Sequence, residues 1–238
     1  MPGLIVFLRG WWYNNCMEDI FNLARNKKAN DEIREELIAR AMKGKTDREK
    51  FEIFVREIVN NYTYDYSVVK SPLELDRRRQ VNHRAMYKGE AYFGKFVTLL
   101  DFYKDTSINV SPTLHLFKAG TCVSYTQELL CLAKEAGVKI KDVHTSEYFY
   151  DGYNTMVGAV KVGGVPEIWK TGHVYAVAEL DGKPCKIDIA GALVAKDYLK
   201  THKVSPERQK ELKSAFLFAE PNAKNPFEEL CKQNMAEA

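Results

Sequence analysis

The stretch GHVYAVAELDGKPCKIDIAG, residues 172–191, predicts a β-hairpin. Valine, isoleucine and aromatic residues alternate with other side chains on both sides of Asp181-Gly182, a dipeptide that favours two-residue hairpin turns. Symmetric pairing about this turn sets His173 opposite Ala190, with Asp188 in the diagonal position on the same face. The hairpin therefore predicts that a histidine and a carboxylate lie within reach of each other.

An upstream stretch, KAGTCVSYTQELLCLAKEAG at residues 118–137, predicts a helix with Cys122 in its first turn. The unpaired N–H groups and the dipole of a helix N-terminus favour an anion, which lowers a thiol pKa from about 8.5. The amide of Cys122 is also placed to meet an oxyanion. Cys131, in contrast, falls among leucines in mid-helix, where a thiol is inert.

These residues predict a nucleophile, a base and an orienting acid. Cys122 supplies the thiolate, His173 the imidazole, and Asp188 the carboxylate that holds one tautomer and stabilises its cation. The three residue types are those of a Cys-His-Asp triad for attack on an acyl carbon.

Other residues are candidates for binding substrate near this triad. Tyr175 shares the strand face of His173 and is expected to line the cleft. Thr121 and Trp169 are further candidates for contact with substrate. Thr121, Trp169 and His115 are also alternatives for the second oxyanion donor, and the sequence does not choose among them.

The order of predicted elements favours an α+β fold, with an antiparallel sheet packed by helices. Apolar periodicity predicts helices first, then the Cys122 helix and a run of strands, and finally a helix capped by Ser205-Pro206. The early helices are expected at 31–43, 47–62 and 91–103, and the strands at 138–152, 154–164, 172–180 and 183–191.

Composition narrows the class of protein. The chain has 238 residues, 45% of them hydrophobic, and a net charge of +3 that is too balanced to indicate a nucleic-acid partner. No stretch has the length of a membrane span, and the apolar run 4–8 is shorter than the core of a secretory signal. A cytoplasmic protein is expected, and secretion stays open because a mature chain would read the same.

The five cysteines are scattered and odd in number, which argues against a disulfide framework. A zinc site built from Cys131, His144 and Cys185 lacks the close ligand pairs that such sites use. We therefore expect neither a metal nor a cofactor.

The quoted motifs resemble those of the transglutaminase-like superfamily. The segments GTCVSYTQELLCLAKEAGVKI and GHVYAVAELDGKPCKIDIAGAL follow its order of a Cys-bearing helix, a strand-borne His and an Asp on the next strand. The resemblance implies a papain-like core at 55–195, with Cys122, His173 and Asp188 in the triad positions. A helical extension at 1–54 and C-terminal helices at 196–238, packing on the core, complete the expected organisation.

The resemblance also implies a reaction through an acyl-enzyme. The chain lacks the additional domains of large animal transglutaminases, which favours a cysteine-dependent hydrolase acting on amide bonds in a peptide or protein. A transglutaminase or protein-glutamine deamidase with the same triad is an alternative. An inert interaction module is another, because Tyr175 and Pro184-Cys185 stand where the family commonly has tryptophan.

Overall fold

A computed structural model describes residues 24–64, 82–95, 113–151, 168–201, 203–223 and 226. It combines helices with mostly antiparallel strands, which is consistent with the α+β prediction. The predicted strand at 154–164 lies outside the described residues. The chain divides into two compact units, Met1–Glu36 with Ser71–Lys118, and Leu37–Lys70 with Ala119–Ala238.

The first unit contains the start of helix α1 (24–41), a hairpin and a short helix. Strands β2 (Asn82–Tyr87) and β3 (Glu90–Lys95) pair antiparallel, and helix α3 spans Leu114–Phe117. Ala29, Tyr92 and Leu116 form a buried apolar cluster. The Asn30 side chain accepts the backbone N–H of His115 at 2.7 Å, which attaches α3 to α1.

The prediction of a helix at 91–103 is wrong for its first residues, because 90–95 form strand β3. The turn before it uses left-handed backbone at Lys88 (φ 47°) and Gly89 (φ 79°), the conformation of a two-residue hairpin turn. Lys-Gly is a weaker turn signal than Asn-Gly or Asp-Gly, and Phe93 stays exposed on the outer face. The apolar pattern of this strand therefore resembles a helix stripe, and residues 96–103 of the predicted helix lie outside the described residues.

The second unit is built on a four-stranded antiparallel sheet in the order β5-β6-β7-β8. Its strands span Ile140–Asp151, Ile168–Leu180, Lys183–Ile187 and Leu217–Ala219. The β6–β7 register sets Leu180 opposite Lys183 and Ala176 opposite Ile187, which confirms the predicted pairing about Asp181-Gly182. Pairing ends at Ile187, earlier than the predicted strand did.

The described residues of this unit also form helices at Asp47–Asn61 (α2), Cys122–Ala136 (α4), Ile189–Thr201 (α5) and Pro206–Ser214 (α6). Helix α4 packs on β6 and α5, and α5 also contacts α2 and α6. Fully buried apolar side chains fill the core between these elements: Phe51, Phe54, Ile58, Leu129, Leu132, Ala176, Ala178, Ile187 and Leu193.

A short parallel ribbon fixes the entry of the chain into α4. Strand β1 (Thr63–Tyr64) pairs with β4 (Ala119–Gly120) directly before the helix. The Tyr125 hydroxyl donates to the Thr63 carbonyl at 2.6 Å, so the first turn of α4 is attached to β1 as well. The start of α4 is thus held from two sides.

None of the helices in the described part of the chain has the length and apolar character needed to cross a bilayer. The predicted boundaries at 54/55 and 195/196 fall inside helices α2 and α5. The division into an N-terminal extension, a catalytic core and C-terminal helices stays a prediction.

Replacing Gly182 by Ala tests the turn that sets the β6–β7 register. The backbone at Gly182 has φ +78°, and no atom lies within 4 Å of an added Cβ, so the cost is conformational. We expect Gly182→Ala to lower the free energy of unfolding by about 1 kcal/mol, measured by urea denaturation. Lys183→Ala, at the neighbouring exposed position, is the control, and an equal loss in both variants would contradict this account of the turn.

Candidate active site

Cys122 is the first residue of helix α4, as predicted. Thr121 is the N-cap residue, and its backbone N–H donates to the Ser124 side-chain oxygen at 3.3 Å. Gly137 ends the helix in the left-handed conformation. Cys122 is only 8% exposed, so its sulfur meets mostly protein groups at the positive end of the helix.

The early end of β7 at Ile187 brings α4 and β6 together. In a hairpin with a two-residue turn, the ladder bonds from β6 to β7 come from alternate residues, here Leu180, Ala178 and Ala176. Val174 is the next in this series, but β7 has already ended. Its carbonyl instead accepts the hydroxyl of Thr126, on the second turn of α4, at 3.1 Å.

The N–H group of Val174 is used in the same way. It donates a hydrogen bond to the Cys122 sulfur. The carbonyl and the N–H of Val174, which a longer β7 would have bonded, therefore hold the beginning of α4. The N–H is the group that faces the sulfur of Cys122.

Asp188 is the N-cap of helix α5 rather than a residue of a strand, which corrects the prediction. Its carbonyl accepts the N–H of Ala192 at 3.1 Å, and its Oδ1 accepts the N–H of Gly191 at 2.8 Å. Its own N–H donates to the Phe216 carbonyl at 2.7 Å. The Ile-Asp-Ile alternation suggested a strand, whereas the run after Asp188 is the start of a buried helix.

The second carboxylate oxygen of Asp188 meets His173. The His173 Nε2–H group donates to Asp188 Oδ2 at 2.8 Å, and both side chains are buried. His173 also forms a side-chain hydrogen bond with Cys122. Since Nε2 faces the carboxylate, Nδ1 is the ring nitrogen left for the sulfur. The structure thus brings Cys122, His173 and Asp188 together in the predicted order.

The charges of this cluster favour a thiolate beside an imidazolium. Burial alone raises the pKa of the Cys122 thiol, but the hydrogen bond from His173, its positive charge and the Val174 N–H outweigh it and lower that pKa. Burial likewise lowers the pKa of His173, but the charge and hydrogen bond of Asp188, with those of Cys122, raise it to about 9. The proton therefore moves from sulfur to ring.

Tyr175 lies beside His173, with ring centroids 6.0 Å apart. The ammonium group of Lys186, which is 2% exposed, lies 4.7 Å from the Tyr175 ring centroid and 5.7 Å from that of Phe216. Lys186 Nζ also donates to the Ala223 carbonyl at 3.3 Å. One side of Tyr175 is therefore occupied by a buried cation, and a substrate role for its ring stays a prediction.

The remaining predicted residues have separate positions. Thr121 is 5% exposed and caps α4, while Trp169 lies on β6 with its backbone paired to Tyr150. His115 is a buried residue of α3, in the other compact unit. Their proposed contacts with substrate or an oxyanion stay predictions.

Sequence reasoning missed Gly191 and Phe216. A Cβ on Gly191 would lie 2.7 Å from Asp188 Oδ2 and closer still to the buried Phe216 ring, so only glycine fits there. An Asp directly before an apolar run was an available N-cap signal. Nothing in the sequence marks the Phe216 carbonyl as a partner of Asp188.

Comparisons with known proteins give little beyond this geometry. No protein-family model matches the chain, and no curated protein matches it. A solved structure described as "Crystal structure of a TGase" is similar, with 18% identity over 74% of this chain and a TM-score of 0.37. The match covers 34% of that structure's chain. This similarity is too low to assign a family or an activity to the chain.

The shifted pKa values predict how Cys122→Ala changes the pH dependence of stability. Between pH 6.5 and about 9 the folded chain keeps a proton on His173 that the unfolded chain has lost, so this stabilisation disappears as pH rises through about 9. In the native protein the Cys122 thiolate offsets it, because the unfolded thiol keeps its proton there. We expect the variant to lose up to about 1 to 2 kcal/mol more than the native chain over this range, less than the full shift implies, because Cys122 itself helps to raise the pKa of His173.

Urea unfolding at several pH values between 6 and 9 measures this difference. The double variant Cys122→Ala, His173→Gln lacks both groups and is the control, with a flatter dependence expected than in Cys122→Ala. Parallel curves for Cys122→Ala and the double variant would show that Asp188 alone does not raise the pKa of His173.

Gly191→Ala tests the placement of the Asp188 carboxylate. The added methyl group collides with Asp188 Oδ2 and Phe216, so we expect the carboxylate to move away from His173. The rate of Cys122 alkylation by iodoacetamide at pH 6 should fall about tenfold as the thiolate is lost. Ala195→Gly, a change of the same size on α5, should leave the rate nearly unchanged, and an equal fall there would assign the effect to helix stability.

Proposed function

We propose that this protein is a cysteine-dependent hydrolase of amide bonds in a peptide or protein, with a papain-like core of the transglutaminase-like type. One observation carries the proposal. A buried imidazole lies between the Asp188 carboxylate, at 2.8 Å, and a cysteine at the N-terminus of a helix. This arrangement prepares a nucleophile, a proton donor and an orienting acid before any substrate arrives.

The residues support acylation in two stages, attack on the carbonyl carbon and loss of the amine. The Cys122 thiolate attacks the carbonyl carbon, and the backbone N–H of Cys122 is available to the oxygen that gains negative charge. When the C–N bond breaks, His173 gives its proton to the nitrogen, which leaves as a neutral amine. Asp188 keeps the ring oriented throughout, and the product on the enzyme is a thioester.

Deacylation uses the same groups in reverse roles. Neutral His173 takes a proton from water, the resulting hydroxide attacks the thioester carbon, and Cys122 leaves as a thiolate with a carboxylic acid released. Val123, next to the nucleophile, is 45% exposed, so solvent reaches the first turn of α4. Water as the acyl acceptor is part of the proposal, and an amine in its place would give transfer.

A panel of peptide amides tests this function. We expect the native chain to release an amine or ammonia from at least one member, with Cys122→Ala and His173→Ala each lowering the rate at least ~1000-fold. Asp188→Asn should lower it by a smaller factor, since it keeps the nucleophile and base. Cys131→Ala is the matched control and should keep the native rate.

Added amine separates the alternatives. If the protein hydrolyses backbone or side-chain amides, an added primary amine should leave the rate of amine or ammonia release unchanged. Incorporation of the added amine into the peptide would indicate a transglutaminase. Ammonia released only from glutamine side chains would indicate a deamidase. No turnover, together with slow alkylation of Cys122 at pH 6, would overturn the proposal and leave a binding module of this fold.

A further inference from the structure

A cavity lies in the unit that carries the triad, between helices α5 and α6, the end of α2 and strand β8. Its volume is about 530 Å³, within the range of sites that bind small molecules. None of the three triad residues lines it. The described residues around it are Val59, Asn60, Ala192, Ala195, Lys196, Leu199, Lys200, Gln209, Leu212, Lys213 and Leu217.

The walls of this cavity are apolar. Leu212 and Ala195 belong to a buried cluster, while Val59, Leu199 and Leu217 pack against that cluster and stay partly exposed. Incomplete burial of these three side chains leaves apolar surface facing the cavity. A ligand with a hydrocarbon segment would bury it.

The charged groups at the cavity all have one sign. Lys196, Lys200 and Lys213 line it, and no acidic residue does among the described lining residues. Lys196 and Lys200 lie one turn apart on α5, a spacing at which like charges repel. Lys200 Nζ bonds Asp197 at 2.8 Å, but Asp197 is not one of the described residues at the cavity.

Lys196 is held in place by the end of α2. Its Nζ donates to the carbonyls of Val59 at 2.6 Å and Asn60 at 3.1 Å, which lie in the last turn of that helix. Burial, followed by the charge of Lys200, lowers the pKa of Lys196. An ammonium group has three N–H donors, and two of those of Lys196 bond the α2 carbonyls. Lys196 therefore places a fixed positive charge at the apolar wall, with a third N–H to donate.

We propose that this cavity binds a small amphiphile with an apolar chain and an anionic head, either a carboxylate or a phosphate. The chain packs against Leu199, Leu212 and Leu217, and the head lies among the three lysines. An anion there offsets the repulsion between Lys196 and Lys200, while a neutral or cationic head does not. This site is independent of the triad and of the proposed reaction.

Titration calorimetry with decanoate at pH 7 tests the site in the full chain. We expect one saturable site, with weaker binding of hexanoate and no saturation by acetate or decanol. The double variant Lys200→Glu, Lys213→Glu should bind decanoate about tenfold more weakly or worse, because two exposed charge contacts are reversed. Lys210→Glu changes an exposed lysine of α6 that does not line the cavity, and it should bind as the native chain does.

Cys122→Ala should also bind decanoate normally, which separates this cavity from the proposed active site. Decyl phosphate in place of decanoate distinguishes the two head groups, and saturable binding of either one supports the proposal. Absence of saturation by both, an equal effect of Lys210→Glu, or loss of binding in Cys122→Ala would overturn it.

Discussion

The two oxygens of the Asp188 carboxylate serve different neighbours, and the candidate site depends on this division. Oδ1 accepts the N–H of Gly191 and so begins helix α5, while Oδ2 accepts the Nε2–H of His173. A carboxylate that is 1% exposed is costly unless both oxygens have partners. One carboxylate therefore both orients His173 and caps helix α5. A movement of Asp188 would disturb the histidine and the start of the helix together.

The length of strand β7 has a comparable effect on the nucleophile. Because β7 ends at Ile187, the main chain of Val174 is available to helix α4 rather than to a strand. Its carbonyl holds Thr126 and its N–H faces the Cys122 sulfur. These are backbone groups in a sheet, which need little reorganisation when charge develops on the sulfur.

Much of this site could be predicted because its main determinants are local. The Asp181-Gly182 turn gives the register of the hairpin, and this register brings Asp188, which directly follows β7, to the side chain of His173. The end of the strand could not be predicted in the same way, because Ile187 and Ile189 suit both a strand and the start of a buried helix. The hairpin at Lys88-Gly89 was missed because its turn signal is weak and the apolar pattern around it favours a helix.

The contact from Phe216 was beyond prediction for a different reason. It comes from a backbone carbonyl, which every residue type has, and it reaches Asp188 from a distant segment. Lys186 is similar, since a lysine on a strand gives no sign that its ammonium group will be buried between Tyr175 and Phe216. Such contacts depend on tertiary packing, which pattern and propensity do not encode.

The position of Phe216 in the chain also bears on how the protein is made. A ribosome releases Cys122, His173 and Asp188 into solution before it releases the segment whose carbonyl holds Asp188. During that interval the acid lacks one of its anchors, and the thiol is expected to remain largely protonated and unreactive. The order in which the chain emerges thus delays the reactive thiolate until β8 can pair with β7. An incompletely folded chain would therefore not carry a reactive sulfur.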